Sequence, residues 1–127
     1  MLKYVLFTLS ILFATFSCTS EEENIFSDID GSYTGQFERN GNVSGVTLNF
    51  FSGEYNGTSV EEKYPAIGLG SYSVNDGVIH ISDESPWTAE FDWTLIFNEE
   101  WNYTLIDNVL TLTKSNGDKY ILNKVLQ

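Results

Sequence analysis

Few side chains in this chain could do chemistry, and their scarcity is informative. His80 is the only histidine and Cys18 the only cysteine. A zinc site of Cys and His ligands needs several such groups, so one copy of the chain cannot build it. A Ser-His-Asp triad would have to use His80, and no Gly-x-Ser-x-Gly elbow accompanies it. In Val78-Ile79-His80-Ile81-Ser82, alternation puts His80 on one face with Val78 and Ser82, opposite Ile79 and Ile81. It reads as a strand histidine. Paired carboxylates could hydrolyse a glycosidic bond, and Asp92, Glu90, Glu99 and Glu100 are the candidates. Asp92 lies between Phe91 and Trp93, and on the wet face of a strand it is simply solvated. No catalytic residue is assigned, and the chain is read as non-enzymatic. Asp28-Ile29-Asp30-Gly31 opens like an EF-hand loop, but Arg39 stands where the loop needs Glu. No metal or cofactor is expected.

The aromatic residues are the better candidates for a ligand site. Trp87 sits beside Pro86 in the segment 83–89, while Trp93, Phe97, Trp101 and Tyr103 fall on apolar faces. Together they could line a pocket for a small apolar ligand or a glycan. Trp93, Phe97, Trp101 and Tyr103 fit better still as the packed interior of a small barrel, while Trp87, on a loop, fits either role. An interior void of at least roughly 300 Å³ would favour a ligand; a solid interior would favour a role in protein interaction.

Strands must position these rings. After residue 30 the apolar pattern has period two, as in a strand with one buried face. Tyr33, Gly35 and Phe37 alternate with polar residues, as do Val46, Leu48 and Phe50. So do Phe91, Trp93, Leu95 and Phe97, then Trp101, Tyr103 and Leu105, then Leu110 and Leu112. Further strands are expected near 53–59, 67–74, 78–82 and 120–125. Asn40-Gly41, Asn56-Gly57, Asp76-Gly77 and Asn116-Gly117 supply the positive φ that tight hairpins require, with Asn98–Glu100 and Asp107-Asn108 as further turns. Segments 59–66 and 83–89 read as loops, the first with room for a helical turn. Eight or nine short strands in an open sheet would leave long edges unpaired. Consecutive hairpins favour an all-β fold closed into a small antiparallel up-and-down barrel of about eight strands, with a two-sheet β-sandwich as the alternative.

The start of the chain has another character. Lys3 precedes an apolar run from Val5 to Phe16, long enough for a signal peptide and too short to span a bilayer. The expected organisation is a signal peptide over 1–17, an acidic flexible tether over 18–29 and a barrel domain over 30–127. The net charge is −12, and losing Lys3 with the signal would make it one unit more acidic. Such a surface repels phosphate backbones, so nucleic acid is not an expected partner.

Ser17-Cys18 resembles the lipobox of bacterial lipoproteins. That resemblance implies a diacylglycerol on the Cys18 thiol, cleavage between Ser17 and Cys18, and attachment to the membrane. Glu21-Glu22-Glu23 resembles the signal that takes Bacteroidetes lipoproteins to the outer face of the outer membrane. Gly31-Ser32-Tyr33-Thr34-Gly35-Gln36-Phe37 is similar to the first strand of the small lipocalin-like lipoproteins of Bacteroidetes, although Tyr33 stands where true lipocalins carry Trp. Phe91–Phe97, Trp101-Asn102-Tyr103, Leu110–Lys114 and Asn116–Tyr120 extend the likeness. It implies a lipocalin-like barrel held at the cell surface as a non-catalytic binding or accessory module. The alternative is an interaction subunit of an outer-membrane complex, with a filled barrel and a protein partner.

Overall fold

A computed structural model describes residues 28–88 and 90–126. The expected signal peptide, Ser17, Cys18 and most of the tether lie outside the described residues. Eight antiparallel strands close into one barrel in the order β1 to β8. They are β1 (Gly31–Arg39), β2 (Asn42–Phe51), β3 (Glu54–Ser59), β4 (Leu69–Asn75), β5 (Val78–Asp83), β6 (Glu99–Ile106), β7 (Val109–Thr113) and β8 (Lys119–Lys124). Each strand pairs with the next, and β1 closes the wall against β8, with Phe37 opposite Tyr120 and Tyr33 opposite Lys124. This is the up-and-down barrel, not the sandwich. Among the described residues no helix is long and apolar enough to cross a membrane.

The two-residue rhythm builds the wall. On β2, Ser44, Val46, Leu48 and Phe50 point inward and are buried; on β7 and β8, Leu110, Leu112, Tyr120 and Leu122 do the same. Hairpins at Asn40-Gly41, Ser52-Gly53, Asp76-Gly77 and Asp107-Asn108 all have two successive positive φ values. That conformation matches the twist of the strands they join. Asn56-Gly57 is not a turn. It lies inside β3, where a Cβ at position 57 would sit 2.4 Å from the Thr47 carbonyl oxygen.

One expected strand is absent. Residues 91–97 belong instead to a long β5–β6 connection with a single 3₁₀ turn at Trp93–Leu95. Alternation fails because Leu95, Ile96 and Phe97 are buried in succession. The local cause is Asp92, whose side chain accepts from the Thr94 backbone N–H at 2.9 Å and caps the turn. An Asp that bonds its own backbone offers the chain an alternative to the sheet ladder. The loop foreseen over 83–89 therefore runs on to Asn98, and Asn98–Glu100 leads into β6 rather than turning between strands.

The two ends of the barrel differ. One end holds the tight hairpins 52–53, 76–77 and 107–108 together with the incoming segment Asp28–Asp30. Ile29 plugs it, with the Tyr33 hydroxyl donating to the Ile29 carbonyl at 2.7 Å. Asp30 accepts from the Tyr72 hydroxyl and from the Ser52 N–H. The other end carries the longer connections 60–68, 84–98 and 114–118. Two of them meet in a short parallel bridge between Ala66 and Ile96, where Ala66 donates to Leu95 and Phe97 donates to Ala66. Ala66, Ile67, Leu95, Ile96 and Phe97 are all buried there, so these loops lid the barrel.

Candidate functional site

The interior is occupied by side chains. Tyr33, Phe37, Phe50, Tyr55, Phe97 and Tyr120 are each at most 1 % exposed. Their rings interlock: Phe37 and Tyr120 lie 5.0 Å apart between centroids, Phe97 and Tyr120 5.1 Å, Trp101 and Tyr120 5.1 Å, and Tyr55 and Phe97 5.3 Å. Tilted and edge-on contacts of this kind are how aromatic cores pack.

A concave surface instead lies on the outside of the wall. An open groove of about 1060 Å³ runs over the outer face of β5, β6 and β7 and under the β5–β6 connection. Val78 and His80 from β5, Glu100 and Asn102 from β6 and Thr113 from β7 line it from the outer face of the wall, and Ile81, Glu99 and Trp101 also border it. Lys114, Ser115 and Asn116 form one bank, and Trp93, Thr94, Ile96 and Asn98 the other. Two of its acidic groups have close neighbours. His80 Nδ1 is 3.3 Å from Glu100 and the Lys114 ammonium 3.2 Å from Glu99, while the Lys114 ammonium also sits 4.7 Å over the Trp101 ring. Asn98 accepts from the Asp83 N–H at 2.9 Å through its side-chain oxygen, which directs its amide nitrogen elsewhere.

Trp93 is the large exposed ring of the groove, at 52 % exposure. Its indole N–H donates to the Thr88 carbonyl at 2.8 Å, and its ring lies 6.3 Å from Phe91. Both flanks are fastened to the barrel rim by Arg39 at the end of β1. One guanidinium nitrogen reaches the Thr94 hydroxyl at 3.0 Å and Asp92 at 3.5 Å, and another donates to the Thr94 carbonyl at 3.2 Å. Arg39 is itself gripped by the buried Asp118 of the β7–β8 connection. Thr94 hydrogen bonds, with Arg39 as a lesser contributor, hold the Asp92 carboxyl below the usual aspartate range. A capping, ionised Asp92 is a structural anion.

The five candidate rings are therefore split. Phe97 and Trp101 are core, with the Trp101 N–H donating to the Asn98 carbonyl at 3.0 Å. Trp101 nevertheless also borders the groove. Tyr103 is half-buried against the core. Trp87 is half-buried, donates to Asp83 at 2.8 Å and meets Phe91 edge-on. Trp93 was expected on an apolar strand face and is found outside, because its strand does not form. Comparison with known proteins gave no match: no family model, no curated protein and no solved structure aligns with this chain. Among the described residues, no group of three His, Cys, Asp or Glu side chains is gathered as a metal site needs.

The sequence reading passed over two residues that organise this region, Arg39 and Asp118. They are 79 positions apart, and no local pattern links them. The signal within reach was Arg39 itself, a lone arginine closing an otherwise polar–aromatic strand in a strongly acidic chain.

Proposed function

We propose that the chain is a lipid-anchored lipoprotein of the bacterial cell envelope, akin to the small lipocalin-like lipoproteins of Bacteroidetes, whose barrel is a non-catalytic interaction module. It engages its ligand or partner on the outside of the wall, not within. One observation carries this: the space in which a lipocalin-like barrel would hold a ligand is taken up by Phe37, Phe97, Trp101 and Tyr120 in mutual contact, beneath loops bridged at Ala66 and Ile96. The direction of attachment supports it. The described chain begins at the plugged end, so a lipid on Cys18 would join the barrel at the end away from the long loops.

Two experiments test the two halves of this reading. The purified protein is titrated with palmitate by calorimetry and by tryptophan fluorescence. A filled barrel gives no saturable uptake, whereas one-to-one binding abolished by enlarging an interior residue such as Leu112→Trp would overturn the interaction reading. Separately, intact mass of membrane-extracted protein should correspond to a chain starting at a diacylglyceryl Cys18. An unmodified Cys18 in the mature chain would end the anchor reading.

A further inference from the structure

We infer that the outer groove is a cleft for a neutral pyranose chain, with Trp93 as the stacking platform. This deepens the reading that the filled barrel binds from outside, and it depends on that reading.

Exposing half of an indole forfeits burial that is worth about 25 cal/mol per Å² of apolar surface. The fold nonetheless holds this ring in place. Its N–H is spent on Thr88, the residue before it caps the 3₁₀ turn, and the residue after it is bonded twice by Arg39. With the N–H already used inside its own loop, what Trp93 has to offer a ligand is its apolar face. A ring fixed before binding costs little ordering entropy when a ligand arrives.

The remainder of the groove selects among ligands that stack. Asn98, Asn102, Thr113 and Ser115 supply amides and hydroxyls, groups that bridge vicinal hydroxyls on a sugar. Nucleobases also stack on indoles, but the chain carries a net charge of −12 and a phosphodiester would be repelled. A protein hot spot wants a fully desolvated apolar pocket, whereas this groove is open and has polar groups on both banks. A pyranose ring with equatorial hydroxyls meets both conditions: a flat C–H face for Trp93 and a rim of hydroxyls for the amides. Because Lys114, the only lysine or arginine lining the groove, is already paired with Glu99, and Glu100 adds a further carboxylate, an uncharged sugar fits better than an acidic one. Arg39 and Asp118 are positioning residues: Arg39 touches the Trp93 loop, Asp118 holds Arg39, and neither lines the groove.

The test is calorimetry of the purified protein with cellohexaose, chitohexaose and xylohexaose as probes. At least one should bind saturably. Trp93→Ala should weaken that binding by at least roughly tenfold, with Trp93→Phe intermediate and Asn102→Ala also weaker. Val60→Ser, on the far side of the barrel, should bind as wild type. Thermal midpoints establish that each variant is folded, and Trp93→Phe keeps the test open if Trp93→Ala is not. No binding by any of the three sugars at millimolar concentration, or binding indifferent to Trp93, overturns the assignment. Palmitate uptake into the interior would defeat the wider reading through different residues, so the two failures are separable.

Discussion

Arg39 and Asp118 form a two-pronged ion pair across the barrel seam, with Nε to one carboxylate oxygen at 2.8 Å and Nη2 to the other at 2.6 Å. Asp118 is only 3 % exposed, and its backbone N–H donates to the Asn116 side-chain oxygen at 2.9 Å. Fork-on-fork geometry gives direction as well as strength. It aims the rest of the guanidinium at Asp92 and Thr94. Removing one partner strands a nearly buried charge, which typically costs about 3–5 kcal/mol. Arg39→Ala should therefore lower the urea unfolding free energy by about 3 kcal/mol and make the 84–98 connection the first site of proteolysis. The pair Arg39→Met with Asp118→Leu should recover most of the loss. A single-variant cost below about 0.5 kcal/mol would mean that solvent screens the pair like an ordinary surface bridge.

Closure of the wall depends on Gly35. A Cβ there would lie 1.9 Å from the Ile121 carbonyl oxygen and 2.8 Å from the Leu122 Cα. Both are backbone atoms of β8, which cannot swing aside. Gly35→Ala should either cost more than about 4 kcal/mol or leave the protein insoluble through an open β1–β8 edge. Gly45→Ala is the control. Its Cβ would approach the side chain of Val60 at 3.1 Å and the Gly35 carbonyl oxygen at an ordinary 3.9 Å, and Val60 is exposed enough to move. Its effect should stay within about 0.5 kcal/mol. Equal effects at the two positions would show that strand propensity, and not the approach of β8, governs both.

The barrel was legible in the sequence because its wall is built by a local rule. Val46, Leu48 and Phe50, or Leu110 and Leu112, declare a buried face by spacing alone, and Asn40-Gly41 and Asp76-Gly77 mark turns by residue type. Phe91–Phe97 has the same spacing but misled, because Asp92 satisfies the Thr94 N–H locally and breaks the ladder before it starts. That competition turned Trp93 from an apparent core ring into an exposed one. The groove was not legible because its residues come from β5, β6, β7 and two connections, and only barrel closure brings them together. His80 was rightly placed on the face opposite Ile79 and Ile81. What spacing could not tell was that Glu100 on the next strand would stand 3.3 Å away.

Ser44 offers a stabilising change. Its hydroxyl is buried at the inner end of β2 and has no hydrogen-bond partner among the described residues. An unsatisfied buried polar group costs about 1–3 kcal/mol. Ser44→Ala removes that group and leaves only a small void, so the variant should be as stable as wild type or gain about 1 kcal/mol. At this domain size that is a rise of several degrees in the melting midpoint, roughly 4–8 °C per kcal/mol. A loss of 1 kcal/mol or more, on the order of a net hydrogen bond, would mean that the hydroxyl is satisfied in solution.

Alkali should open the barrel from within. Burial, reinforced by Asp30 and Asp28, pushes the Tyr33 hydroxyl up from its ordinary value of 10 to about 12. Burial, then Asp83 or Asp30, raises Tyr55 and Tyr72 as well, and burial raises Tyr120. Raised folded-state values mean that above pH 10 the unfolded chain releases protons that the barrel still holds. Stability is therefore fully present below pH 10 and falls as pH rises through the window to about 12 for Tyr33. Two signals should rise together in that window: tyrosinate absorbance from the buried rings and loss of the aromatic near-ultraviolet dichroism. Tyr33→Phe should reduce the slope of unfolding free energy against pH there, while also losing the hydrogen bond to Ile29. Tyrosinate appearing well before the dichroism collapses would mean that these hydroxyls reach water in the native state, and that the interior is looser than its ring contacts require.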